Sequence, residues 1–270
     1  MLLYHFTKTL EKELKDLPAT DDKDKAELLV VGGKKYSLSD YPNAKAIYRV
    51  GVGSDNIDFE DAENRNVAVF FPSKRSQNVI FEATANTAMF MIIRDLFRDG
   101  GDFEAWKKPR RDFARNLKGL VIGTGNIGSK VVSKLSSFME VSTFDKLSNS
   151  DEELDLMLKE ADVISLHIPL NDETRGLFDK KRLALLKPGA HLVNTARAPI
   201  VDEEALYQSL SERKIRASFD VFWKEPYSGK LNEFKEDVFF KTPHLSSNCH
   251  DFFSSCAKDV IDLANGKSLD

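Results

Sequence analysis

Two doubly wound α/β lobes are what this chain predicts, and three observations carry the prediction. Apolar runs alternate with helix-like segments in two successive series, which implies right-handed βαβ units and parallel sheets. A polar stretch without period separates the series. The 270 residues also exceed one ordinary domain of roughly 150.

The first series opens on LLYHF (2–6), read as a strand, and TLEKELKDL (9–17), whose Leu10, Leu14 and Leu17 have helical spacing. AELLVVGG (26–33) and NAKAIYRVGVG (43–53) read as buried strands stopped by glycines. NVAVFF (66–71) is a fourth strand, closed by Pro72, and PSKRSQNVIFE (72–82) reads as a loop. FEATANTAMFMIIRDLFRD (81–99) is a long helix ending at Gly100 and Gly101. GDFEAWKKPRRDFARNLKG (101–119) is polar and basic, and reads as a linker. The second series runs strand KGLVI, a glycine turn, helix SKVVSKLSSF, strand EVSTFD, helix EELDLMLKEA and strand DVISLHIPL. It continues with helix KKRLALLKPG, strand HLVNTA, helix EEALYQSLSERK and strand RASFDVF. DFFSSCAKDVIDLANGK (251–267) is a closing amphipathic helix.

Composition excludes several function classes. A net charge of −4 provides no global basic field for nucleic acid. Two cysteines, Cys249 and Cys256, form no CxxC pair, so no metal site is expected. The N-terminal apolar run is too short for a signal peptide, and no stretch approaches the roughly 18 apolar residues of a membrane span. A soluble, cytoplasmic protein without membrane partners is the expectation.

Gly123-Thr124-Gly125-Asn126-Ile127-Gly128 fits G-x-G-x-x-G. Alone it is a weak signal, but here it follows an apolar strand and opens a helix. Gly123 would make the tight turn, Gly125 would admit a pyrophosphate, and Gly128 would let helix and strand pack closely. The helix N-terminus offers free N–H groups to phosphate. Asp145 ends the next strand, where a carboxylate accepts hydrogen bonds from ribose hydroxyls and repels a 2′-phosphate. NAD is therefore the expected cofactor, although Lys146 next door weakens the preference over NADP. The alternative is a structural turn plus a surface carboxylate.

Arg197, Glu225 and His244 each follow a late strand of the second series, where ligands of doubly wound sheets bind. Arginine can anchor a carboxylate by two hydrogen bonds. Histidine can exchange a proton near neutral pH, and glutamate can orient it and stabilise its cation. Taken singly, each also reads as a surface charge, a loop carboxylate or a turn residue.

RVGVGSDNID, GTGNIG, ADVISLHIPLNDETRGLF, LLKPGAHLVNTARAPIVDEEAL, DVFWKEP and TPHLSS, in this order, resemble the D-isomer-specific 2-hydroxyacid dehydrogenase family from Arg49 onward. The resemblance implies hydride transfer between NAD(H) and a small 2-hydroxy or 2-oxo acid, such as 3-phosphoglycerate, glyoxylate or hydroxypyruvate. His244 would be the acid/base, Glu225 its partner and Arg197 the anchor. The amides of Gly51, Val52 and Gly53 would hold the substrate carboxylate, as consecutive N–H groups in a glycine turn can. Arg49, with Lys74 and Arg75, would attract a second anionic group; the alternative is that all three are solvated charges. Asn126, Ile127, Asp145, Pro169, Thr195, Ala196, Asp220, Ser246 and Ser247 would line the cofactor, and His167 would be structural.

The implied architecture is a Rossmann NAD-binding domain (93–245) and a smaller flavodoxin-like substrate domain (1–92 and 246–270), with the active site in their cleft. A homodimer built around the NAD lobe is implied too, with the basic linker read as a solvated face. The N-terminal lobe looks short, and no room for an appended regulatory domain is expected. Ala198-Pro199 and Ser246-Ser247 stand where glycines are common. The alternative function is an NAD(H)-sensing corepressor-like protein without turnover.

Overall fold

The computed structural model describes residues 2–5, 8–54 and 56–269. Phe6 of the expected first strand and Asp55 of RVGVGSDNID lie outside them. The chain forms two compact units, 1–80 with 247–270, and 81–246.

In the first unit, β1 (Leu3–His5), β2 (Leu28–Val31), β3 (Ala46–Arg49) and, after helix α1 (Phe59–Asn64), β4 (Ala68–Phe70) form a parallel sheet in chain order. Order reversal, the mark of double winding, is thus absent among its described strands. The chain leaves this sheet after β4 without crossing back over β1. Every residue of β2 is buried, as a parallel strand covered on both faces requires. Residues 9–17 form no α-helix: a 3-10 turn, Lys8–Leu10, passes into further turns. Leu10 and Leu14 are nonetheless buried, so the spacing reported burial. Pro18 disfavours helical geometry at Leu17. Sequence periodicity missed α1, whose start is capped by Asp58 accepting the Asp61 N–H at 3.0 Å.

The expected loop 72–82 is largely the first part of α2 (Lys74–Leu96). Its polar run contains neither Gly nor Pro, and Ser73 Oγ accepts the Ser76 N–H. The unit boundary falls at Ile80/Phe81, earlier than the expected 92/93. The reason is packing: Ala85, Ala88, Met89, Met91 and Ile92 join the core of Val121, Val131, Val163 and Val193.

The second unit continues with β5 (Lys118–Ile122), α3 (Gly128–Leu135), β6 (Glu140–Phe144), α4 (Asp151–Glu160), β7 (Val163–Leu166) and α5 (Lys180–Leu185). It ends with β8 (His191–Asn194), α6 (Glu203–Ser211), β9 (Arg216–Phe219) and β10 (Phe239–Lys241). The six parallel strands run β10-β9-β8-β7-β5-β6. Order reverses at β5, so the crevice beyond the carboxyl ends of β5 and β7 is the ligand position of a doubly wound sheet. Helix starts are written in sequence: Ser150 and Glu153 form a capping box on α4, and Asp202 caps α6.

A polar knot closes the opposite edge of this sheet. Asp95 of α2 accepts Arg216 Nε at 2.7 Å and Nη2 at 2.9 Å, while His191 Nε2 pairs with Ser218 Oγ at 2.8 Å. Burial pushes His191 down to about 4, against the pull of nearby Asp95, so it is held neutral.

The closing helix α7 (His250–Ala264) returns to the first unit. There the buried Asp259 carboxylate accepts Tyr48 Oη (2.8 Å), Ser76 Oγ (2.8 Å) and the Ser73 N–H (2.9 Å). No helix among the described residues is long and apolar enough to cross a membrane.

Candidate active site

The glycine turn follows β5 directly. Gly123 sits at φ +92°, and a Cβ there would lie 2.6 Å from the His167 carbonyl oxygen. A Cβ on Gly128 would lie 1.8 Å from the Gly123 carbonyl oxygen, so neither position accepts a side chain without backbone movement. Gly125 faces open space, with nothing within 4 Å of a Cβ. Beside it the backbone N–H groups of Asn126 and Ile127 have no acceptor among the described residues. An exposed, unpaired amide row at the start of α3 suits a pyrophosphate.

Asp145 stands over this turn at the end of β6. Its Oδ2 accepts Thr124 Oγ1 at 2.8 Å and the Thr124 N–H at 3.1 Å, and Oδ1 accepts the Leu147 N–H. The Thr124 hydroxyl, then these two amides, hold the carboxyl below its usual range, so it is ionised. Beneath the turn, His167 pairs with Ser165 Oγ at 2.8 Å, and burial pushes it down to about 4. That neutral, half-buried ring lies under the turn rather than in the crevice.

The far side of the crevice is formed by the ends of β8 and β9. Thr195 is buried and its Oγ1 has no hydrogen-bond partner among the described residues. An orphaned hydroxyl after β8 and an open amide row after β5 are groups a dinucleotide would complete, and the residues present fit that group. Ala196 is half-buried next to it. The Pro169 carbonyl is already engaged by Thr174 Oγ1 at 2.7 Å.

Arg197 opens the 3-10 turn Ala198–Ile200, and its Nη1 donates to the Ala196 carbonyl at 2.8 Å. Glu225 and His244 come together: His244 Nδ1 lies 2.9 Å from Oε2 and 3.1 Å from Oε1. A carboxylate only accepts, so Nδ1 carries the proton and Nε2 is turned to other chemistry. Burial alone would raise Glu225. The hydrogen bond and charge of His244, the Phe222 N–H and the charge of Arg197 outweigh it, and the carboxyl is held below its usual range. His244 itself sits at φ +52°, a left-handed conformation uncommon outside glycine and typical of functional loops.

That loop is held from below by Asp220. The carboxylate is fully buried, and Oδ1 accepts Thr242 Oγ1 and the Leu245 N–H while Oδ2 accepts the Ser246 N–H and Oγ. Asp220 and Ser246, expected to line the cofactor, are thus spent on each other and on the histidine loop. Ser247, expected beside them, is the first residue of the other unit. The Ser246 hydroxyl supplies one of the four bonds.

In the first unit, Gly51 has φ +123°, and a Cβ there would meet Arg49 Nη1 at 2.8 Å. The N–H groups of Gly51, Val52 and Gly53 have no acceptor among the described residues. Arg49 braces this turn: Nε donates to Asn56 Oδ1 at 3.2 Å and Nη1 to the Val50 carbonyl, while Asn56 Nδ2 donates to the Gly32 and Lys34 carbonyls. Lys74 and Arg75 are exposed at the start of α2. Asn56 and Thr124 were not singled out by sequence reasoning. Both lie inside quoted motifs, so their polar type beside a glycine turn was the available signal.

The description "D-isomer specific 2-hydroxyacid dehydrogenase, NAD binding domain" matches residues 88–246. The chain is 32% identical over 266 residues to a glyoxylate reductase of Thermococcus litoralis, covering 86% of this chain and 78% of that one. It is 32% identical to a hydroxypyruvate reductase of Thermotoga maritima, covering 76% and 72%. A D-lactate dehydrogenase of Aquifex aeolicus, solved with NAD and lactic acid, superposes with a TM-score of 0.82 at 26% identity, covering 98% and 95%.

Proposed function

Because the chain belongs to the D-isomer specific 2-hydroxyacid dehydrogenase family, and so is an NAD-dependent oxidoreductase of 2-hydroxy acids, we propose that it reduces a small 2-oxo acid through Arg197, Glu225 and His244. Glyoxylate and hydroxypyruvate are the first candidates, with 3-phosphohydroxypyruvate third. The observation that carries this reading is the His244–Glu225 pair, with Arg197 charge reaching it, on the same sheet edge as the dinucleotide turn.

The chemistry follows from the groups. Asn126, Ile127, Asp145 and Thr195 hold the dinucleotide, which when bound supplies or accepts the hydride. The Arg197 guanidinium binds the substrate carboxylate and polarises the adjacent carbonyl. His244 Nε2–H donates a proton to the carbonyl oxygen as the carbon is reduced, and Glu225 stabilises the ring while it is cationic. In the oxidation direction the same nitrogen accepts the hydroxyl proton. The Gly51-Val52-Gly53 amides make a nest within the first unit that suits a carboxylate. Arg49 is assigned a supporting charge, since two of its donors brace the turn itself.

The test is NADH and NADPH oxidation against glyoxylate, hydroxypyruvate, pyruvate, 2-oxoglutarate and 3-phosphohydroxypyruvate. Turnover of at least one acid with NADH preferred is expected, and His244→Ala should lower it by about 10²–10⁴-fold. NADH binding without turnover of any acid would instead favour the binding-only alternative.

A homodimer is part of the proposal. Phe97 is 56% exposed, Phe103 80%, Trp106 68% and Phe113 68%, all within one short stretch of the linker region. Such a run of bared aromatics suits a second copy of the chain better than the solvated face expected from its charges.

A further inference from the structure

The catalytic reading uses Glu225 but does not say what holds its loop. A cavity of about 690 Å³ opens beside that loop, with Trp223, Val201, Glu203 and Arg175 in its wall. Phe222, Trp223 and Tyr227 also pack against the core of the second unit, and two hydrogen bonds give that packing its direction. Trp223 Nε1–H donates to the Val201 carbonyl at 3.1 Å, and Tyr227 Oη donates to Glu203 Oε1 at 2.7 Å.

Both acceptors lie in one place, the segment that leaves Arg197. Val201 ends the turn that Arg197 opens, and Glu203 is the first residue of α6. Both donors flank Glu225, one two residues before it and one two residues after. The bonds are stiffened within the loop. Trp223 stacks on Phe219 of β9 with ring centres 5.9 Å apart, and Tyr227 stacks on Phe222 at 4.9 Å. The Phe222 N–H in turn donates to Glu225 Oε1 at 3.1 Å, and the Leu231 N–H donates to Tyr227 Oη, closing the loop.

We propose that Trp223 and Tyr227 are positioning residues, a two-point clamp that sets the Glu225–His244 pair against Arg197. The inference rests on the catalytic reading above. Its physical content is that the anchor for the substrate carboxylate and the proton donor for its carbonyl ride on different loops. Two adjacent atoms of one small substrate fix the distance those loops must keep. Misplacement by about an ångström is enough to cost up to roughly 10²-fold in rate.

The test compares Trp223→Phe, Tyr227→Phe and the double variant with Glu203→Gln, which keeps a side-chain acceptor for Tyr227. Steady-state kinetics use NADH and the best 2-oxo acid of the panel, across pH. Each single variant is expected to lose about tenfold in kcat, with KM for the acid changing less and NADH affinity within twofold. The alkaline limb of the kcat/KM profile should move to lower pH, because a loosened Glu225 stabilises the protonated histidine less. Glu203→Gln should stay near wild type. The ¹⁵N resonances of the His244 ring, which need no turnover, should move in the clamp variants and not in Glu203→Gln. Unchanged kcat, pH limb and ring resonances in both single variants would overturn the clamp. His244→Ala separates the two levels. If it keeps wild-type turnover the catalytic reading falls with the clamp, and if it is silent while the clamp variants are normal, only the clamp falls.

Discussion

Gly125→Ala and Gly128→Ala should fail in opposite ways, although three residues separate them. At Gly128 the new methyl would lie 1.8 Å from a backbone oxygen, where contacts under 3.0 Å are essentially never found. The turn must open by more than an ångström, and no flexible side chain is there to yield. Overpacking of this kind costs about 3 kcal/mol, at the upper end of its usual range, partly offset by the helix preference of Ala over Gly, about 1 kcal/mol. A net loss of about 2 kcal/mol lowers the melting temperature by roughly 4–8 °C. At Gly125 the methyl meets nothing within 4 Å. Stability should be unchanged or rise by about 0.4–1 kcal/mol. The methyl instead stands where the pyrophosphate would lie, and losing one charge-assisted bond, about 1.5–3 kcal/mol, weakens NADH binding by roughly tenfold to a hundredfold. Thermal melts and NADH fluorescence titrations of both variants read the two effects separately. Normal NADH affinity in Gly125→Ala would refute the placement of the pyrophosphate, and a wild-type melt for Gly128→Ala would refute the packing argument.

Three further outcomes are expected. His167 and His191, both held near 4 by burial, are neutral in the folded chain while the unfolded chain protonates them near 6.5. Their stabilisation is complete above about pH 6.5 and is lost as pH falls through 4, up to about 3 kcal/mol for each. Urea midpoints between pH 7 and 4 should show this, with a shallower slope in His191→Gln; an identical slope would exclude His191. Asp145→Ser removes the charge that repels a 2′-phosphate, so kcat/KM for NADPH relative to NADH should rise by at least about tenfold. No change in that ratio would take Asp145 out of cofactor choice. The proposed homodimer should give way to monomer in light scattering when Trp106→Asp is combined with Phe103→Asp, and a mass unchanged from the unmutated chain would remove these aromatics from any interface.

Strand positions and the glycine turn were legible because each has a local signature, and Arg197, Glu225 and His244 were picked out as candidates by their places after late strands. β5 is a short apolar run, Gly123 takes a φ of +92°, and a Cβ on Gly128 would meet the carbonyl of Gly123 five residues earlier. The start of α2 was not legible, since its first turns expose polar side chains and carry no period. The unit boundary was hidden inside that helix for the same reason: which sheet Ala85 and Met89 pack on is a tertiary fact. Asp220 shows a subtler limit. The family resemblance implied a cofactor contact for it, but only coordinates reveal that its carboxylate accepts four bonds from the loop bearing His244. Trp223 and Tyr227 were in plain view inside DVFWKEP and just beyond it, yet their acceptors lie more than twenty residues away in sequence.

Strands β8 and β9 each begin in the polar knot, at His191 and Arg216, and each lead at their other end to a group assigned to chemistry, Arg197 and Glu225. Four extended residues span about 13 Å, beyond the range over which substitutions usually influence one another. Changes of substrate preference made at one end should therefore add to changes of thermal tolerance made at the other, without either eroding its gain. A chain arranged this way can wander among related acids while its fold stands still, and improvements selected separately at the two ends can be combined in one molecule.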